Sequence, residues 1–203
     1  MRLRYTPILT IVALLAAPIA SVADGWEPVD LLAVAKAAYP GELCWWERVE
    51  EDLDRIAAHT LTYRLEYDRA EDPERTAKLY EVPCFFGAYN FGSVWFMDKE
   101  YDGLVPLHFA EPVVDVRYGD EDHAILEEMA VIGFGSSPTV VNGLFDPETR
   151  EITGFSKWRG LGDAASSGTW TFRNGDFVLT AYSVDPTFDG EINPIVVYPA
   201  TSE

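Results

Sequence analysis

Positive charge is what this chain has least of. Lysine occurs only at Lys36, Lys78, Lys99 and Lys157, and all lysines and arginines number 15 against 34 aspartates and glutamates, a formal net charge of −19 at pH 7. A field of that sign repels phosphate backbones and anionic bilayers, which argues against nucleic-acid binding, and it speeds encounter with cationic partners. The same excess also serves plain solubility.

Histidine and cysteine are equally sparse. His59, His108 and His123 show no metal-ligand spacing, and a closed zinc site wants four ligands. Ser136, Ser137, Ser166 and Ser167 lie outside any Gly-x-Ser-x-Gly elbow. Asp120-Glu121-Asp122 and the stretch from Asp185 to Glu191 are oxygen-rich, but neither follows the twelve-position calcium loop, so both read as solvated acidic loops. A glycosidase carboxylate pair is defined by separation in space and is not located by sequence distance. No catalytic residue, metal or cofactor is implied.

Long apolar runs are missing too. Ile8 to Ala17 is too short to span a bilayer and is bounded by Pro7 and Pro18. With Arg2 and Arg4 before it and Ser21-Val22-Ala23 after it, the segment reads as an export signal removed before Asp24. The expected product is a single β-rich domain from 24 to 203, periplasmic or secreted, without an integral membrane segment. No cysteine follows the cut, which argues against lipid modification there. In an oxidising compartment Cys44 and Cys84 are expected to pair. Closing a loop of about forty residues adds roughly 4 kcal/mol in the chain-entropy account.

What is present is mostly strand. Glu27 to Ala38 reads as a helix, with Pro28 in its first turn and Tyr39-Pro40-Gly41 as its stop. Glu47 to Ala58 gives a second helical pattern with a charged face. The period then falls to two: Thr60 to Tyr67 alternates, and Ala77 to Val82 returns after a polar turn. Ser93 to Met97 and Val113 to Tyr118 also favour strand, while Asp122 to Ile132 is read as a short helix. Thr139 to Phe145 with Arg150 to Lys157 forms one predicted hairpin. Thr169 to Phe172 with Phe177 to Ser183 forms a better one, since Asn174-Gly175 suits a tight turn. Ile195 to Tyr198 can supply a closing strand. The expected fold is mainly β with an α+β N-terminal edge, an antiparallel meander or barrel-like domain with one or two short helices.

Three stretches are less generic. Val82 to Asn90 places a cysteine before small and aromatic residues, with Asn90 expected to bond local backbone. Ser156 to Asp163 bends at two glycines and brings Arg159 and Asp163 to one loop, where a structural ion pair is the favoured reading over catalysis. Ser167 to Phe172 opens the last hairpin.

Together these stretches resemble the domain-of-unknown-function family 1176, exported bacterial proteins. The Cys-x-x-Gly-Ala-Tyr-Asn run at 84–90 and the Arg-Gly-Leu-Gly-Asp run at 159–163 carry most of the likeness. The Gly-Thr-Trp run and Asp189-Gly190 add to it. The likeness spans about Leu43 to Pro199 and looks like the C-terminal half of longer members. It implies a fold and an exported location, and no activity. Many members carry a cysteine just after Gly-Asp and a partner nearer the C-terminus. Here Ala164 holds that place, so a second crosslink is expected to be missing and the last hairpin must rely on packing.

The expected function is a non-catalytic binding module for a cationic protein, possible targets including a basic hydrolase that it restrains. The alternative is a glycan or cell-wall binder that stacks sugars on exposed rings, drawn from Trp45, Trp46, Tyr89, Phe91, Trp95, Trp158 and Trp170. Adjacent Trp45 and Trp46 cannot face the same way in a strand, so one should be exposed. Trp170, Phe172, Phe177 and Leu179 are expected in the core. The binding or structural candidates are Tyr89, Asn90, Arg159, Asp163, Trp45 and Trp46.

Overall fold

The computed structural model describes residues 25–198; the predicted export signal lies outside them. The chain opens with helix α1 (Pro28–Ala38), short helix α2 (Trp46–Glu50) and a 3-10 turn (Leu53–Arg55). Twelve strands follow: β1 (Ala57–Tyr63), β2 (Arg75–Phe86), β3 (Phe91–Lys99), β4 (Gly103–Pro106), β5 (Phe109–Tyr118), β6 (Leu126–Ser137), β7 (Thr139–Val141), β8 (Leu144–Asp146), β9 (Glu151–Lys157), β10 (Ala165–Arg173), β11 (Asp176–Asp185) and β12 (Ile195–Tyr198).

All the strand pairs are antiparallel. A first sheet runs β1-β2-β3-β4, with β7 sharing the β4 edge of β3 farther along. A second runs β12-β11-β10-β9-β8, and β5 and β6 form a two-stranded ribbon. The mainly β expectation holds, and the sheets stay open rather than closing into a barrel.

The centre of the first sheet is buried on both faces, which explains why β3 is buried from Gly92 to Met97 and apolar from Val94 to Met97. Leu79, Trp95 and Met97 point into a core shared with Ile152, Trp170, Phe172 and Val184 of the second sheet. Tyr80, Val82, Val94 and Phe96 alternate to the other face and meet Leu31, Leu32 and Ala35 of α1 and Val49 of α2. Each such side chain taken fully out of water contributes about 1.5–3 kcal/mol. The disulfide Cys44–Cys84 fastens the helical edge to β2, as expected from the compartment argument. Phe177 and Leu179 pack against the shared core while remaining partly exposed.

Four sequence expectations are corrected. The Glu47–Ala58 helix stops after Glu50: Asp52 adopts an extended φ of −147°, and the chain must enter β1 in register for Leu61 to meet Ala77. The strand read over Thr60–Tyr67 begins at Ala57 and ends at Tyr63. Beyond it Asp68 caps a turn, accepting from the Leu65 amide at 2.8 Å and from Arg75 at 2.7 and 2.8 Å. The Asp122–Ile132 helix is instead a turn over 122–125 followed by the start of strand β6, which pairs with β5 over ten positions. Thr139–Phe145 is two strands, β7 in the first sheet and β8 in the second, divided at Asn142 with its left-handed φ of 46°. The last hairpin stands as read: Asn174 and Gly175 take φ values of 51° and 86° between β10 and β11.

Candidate functional site: a junction of loops beside a polar cavity

Three of the sequence stretches meet at one end of the molecule. The β2–β3 turn closes with the Gly87 amide donating to the Asn90 carbonyl at 2.7 Å. Asn90 does not bond local backbone as expected. Its Nδ2 donates to the Lys157 carbonyl at 2.8 Å and its Oδ1 accepts from the Lys157 amide at 3.1 Å, joining the turn to the end of β9. Asn142 completes the joint. Its Nδ2 donates to Asn90 Oδ1 at 3.1 Å and to the Phe155 carbonyl at 2.8 Å, and its Oδ1 accepts from the Phe91 amide at 2.9 Å. Sequence reasoning missed Asn142, although the Asn142-Gly143 pair was a turn signal inside the supposed strand.

Beyond Lys157 the Arg159–Asp163 pair forms as expected. Arg159 Nε donates to Asp163 Oδ1 at 2.7 Å, while Nη2 bonds Oδ2. Asp163 is 1% exposed and Oδ2 also accepts from the Gly190 amide at 2.8 Å. The pair thus ties the glycine-rich loop to the Asp189-Gly190 segment. The hydrogen bonds from Arg159 hold the Asp163 carboxyl well below the usual carboxylate range. Arg159 lies 5.2 Å from the Phe188 ring centroid, with Trp158 6.4 Å from it on the same side chain. A carboxylate held this way is a fastening; nothing about it suits proton transfer.

The acidic loops serve their own backbone in the same manner. Asp120 accepts from the Ala124 and Ile125 amides at 3.2 and 2.9 Å. Asp185 accepts from the Thr187 hydroxyl at 2.9 Å and from the Asn193 amide. Among the described residues no group of three or more histidines, cysteines, aspartates or glutamates is placed to hold a metal ion.

The ring candidates divide. Trp95 and Trp170 are core residues, which removes them from any stacking surface. Trp46 is half-buried and donates its indole N–H to the Tyr39 carbonyl at 3.0 Å. Trp45 is 46% exposed, so one of the pair does face solvent. Its amide is anchored to the Cys84 carbonyl at 2.6 Å, next to the disulfide. Tyr89, Phe91 and Trp158, at 39, 52 and 37% exposed, stand around the loop junction.

Beside the junction a cavity of about 120 Å³ opens between the second sheet and the base of the β5–β6 ribbon. Glu111 of β5, Ser156 of β9, and Ser166, Gly168 and Trp170 of β10 line it, so the third sequence stretch contributes through Gly168 and Trp170.

Charge is distributed unevenly. Lys36, Arg55, Arg64, Arg75, Lys99, Arg117 and Arg159 all make ion pairs within the chain. Glu42, Glu47, Glu51 and Asp54, close to Trp45 in sequence, are exposed on the helical edge.

These features define an open, antiparallel two-sheet β domain with a disulfide-fastened helical edge and a loop junction built from asparagine and an ion pair. The chain belongs to the DUF1176 family, "Protein of unknown function (DUF1176)", whose family model matches residues 35–198. No curated protein and no solved structure matches the chain. Among the described residues no helix is long and apolar enough to cross a membrane.

Proposed function

We propose that the chain is exported, with cleavage near Ala23-Asp24, and acts in the periplasm or outside the cell as a non-catalytic module that binds a cationic protein. The observation that carries this reading is the pairing of seven lysines and arginines with the chain's own carboxylates. Exposed carboxylates remain to meet a partner, among them Glu42, Glu47, Glu51 and Asp54 on the helical edge that carries Trp45. An exposed ring whose backbone is fastened to Cys84, among exposed carboxylates close to it in sequence, has the composition of a binding hot spot with a steering rim. A basic hydrolase restrained by this module is one target of suitable charge.

Affinity capture from envelope extract with the mature oxidised domain, at low and high salt, tests it. A basic protein retained at low salt and released at high salt is expected. Its association rate should fall several-fold for Glu47→Gln/Glu51→Gln, with dissociation little changed. Capture insensitive to both salt and these substitutions would overturn the reading.

A second reading rests on Tyr89, Phe91 and Trp158 around the loop junction, whose rings suit pyranose faces. It predicts a tryptophan fluorescence change with glycan or peptidoglycan fragments that salt leaves unaltered. No response across a broad glycan panel would remove it.

A further inference from the structure

The second sheet breaks its own pattern at one end. Along its inner face Phe172, Trp170 and Ile152 are buried and apolar, as the core side of a β layer requires. Toward the loop junction the paired positions become Gly154 opposite Gly168, then Ser156 opposite Ser166. Small and polar residues on a core face leave space and unmet hydrogen-bonding capacity. Departures of that kind concentrate at functional sites. The cavity beside the junction occupies that space.

The glycines are required there. A Cβ on Gly168 would come within 2.6 Å of the Trp170 ring and 3.0 Å of the Tyr182 ring, and one on Gly154 within 2.7 Å of Val140. Trp170 is locked over this spot because its indole N–H donates to the Ala110 carbonyl at 2.9 Å. That bond also fixes the start of β5 and with it Glu111, the only charged residue on the cavity wall. Among the described residues no hydrogen bond or ion pair reaches the Glu111 carboxyl, and burial pushes it up from the ordinary glutamate range. Ser137, Ser156 and Ser166 supply further oxygens.

We propose that the Glu111 cavity is a binding seat for one guanidinium or primary alkylammonium group, held by the carboxylate and the serine hydroxyls, with Trp170 and Tyr182 as its apolar walls. Its volume of about 120 Å³ is a little below the roughly 150 Å³ that holds a benzene ring, which admits a planar cation on a short stem and excludes a whole sugar. A half-buried carboxylate without a partner is costly, and a donor-rich cation satisfies it in charge and in hydrogen bonds. Net charge decides the sign of the ligand, since a field of −19 keeps anions out. The cation is either a side chain of a basic protein or a free small amine. The first source deepens the binding-module reading and rests on it.

The test is an NMR titration of the full oxidised protein with ethylguanidinium chloride, against tetramethylammonium chloride at equal ionic strength. Saturable shifts of the Gly154 and Gly168 amides and the Trp170 indole are expected with ethylguanidinium alone. They should be at least tenfold weaker in Glu111→Gln and lost in Ser156→Leu, which fills the space and keeps the charge. Shifts scattered over the acidic surface, or equal in Glu111→Gln, would overturn the proposal. A peptide with one arginine among neutral residues separates the sources: tighter binding than ethylguanidinium supports a protein side chain, and exclusion of the peptide supports a free amine. If ethylguanidinium fails while salt-sensitive capture of a basic protein persists, the seat is wrong and the module stands. If ethylguanidinium binds and no basic protein is captured, the seat stands and the module is wrong.

Discussion

Asn90 and Lys157, 67 positions apart, are paired as neighbouring strands would be, with the side-chain amide standing in for a backbone. The amide supplies both a donor and an acceptor in the right spacing, which no other side chain of that length does except glutamine with a longer reach. Removing it leaves the Lys157 amide and carbonyl without these partners in a half-buried place. Asn90→Ala is expected to destabilise by about 1–3 kcal/mol, read as a lower urea midpoint with an unchanged slope. Asn90→Asp sets an ionised oxygen against the Lys157 carbonyl, acceptor against acceptor, and should destabilise at least as much as alanine at pH 7.

The Cys44–Cys84 bond closes a separation of 40 residues and joins the helical edge to a strand at the centre of the outer cluster. Replacing either cysteine by alanine should lower stability by about 4 kcal/mol in the chain-entropy account. Because Trp45 hangs on the backbone beside that bond, its fluorescence should shift on reduction before the whole domain unfolds. Single variants that melt with the parent would contradict this.

Two aspartates make the fold sensitive to acid. Arg75 and the Leu65 amide lower Asp68 to about 2, and Arg159 lowers Asp163 further. A carboxylate whose folded pKa is depressed adds stability above its unfolded value near 4, and that stability is lost as the pH falls through the folded value. The parent should therefore lose melting temperature as pH drops from about 4 toward 2. Asp163→Asn should melt lower than the parent at pH 7, with the difference narrowing below about pH 4. Parallel curves for the two proteins would sink the assignment.

Strands with a buried face announced themselves in the sequence, and the largely exposed β6 was misread. Alternation placed β1, the polar turn after it placed the return strand β2, and Asn174-Gly175 placed the last hairpin, because alternation and turn chemistry are local properties. β6 is largely exposed, so burial imposes no alternation on it; Ile125, Met129 and Ile132 then mimic helical spacing. The Arg159–Asp163 pair was legible because four positions and a glycine bend bring the two together. Asn90 and Asn142 were not, since their partners come from strands far along the chain. Glu111 was hidden among the other acidic residues, and only the meeting of β5 with β10 distinguishes it.

Glu111 should reveal itself by stabilising the protein when its charge is removed. Its folded pKa is raised by burial, so the folded state resists ionisation that the unfolded chain accepts. The resulting cost is absent below the unfolded value of about 4 and complete once the pH has passed the folded value. Glu111→Gln keeps the shape and removes the charge. It is expected to melt above the parent at pH 8 and to converge with it near pH 4, followed by calorimetry across that range. Glu81, likewise raised by burial but accepting from the Ser93 hydroxyl at 2.6 Å, provides the comparison, and Glu81→Gln should gain less. A Glu111→Gln variant that melts below the parent at pH 8 would mean that the carboxylate is already satisfied within the fold, leaving no reason for it to recruit a cation.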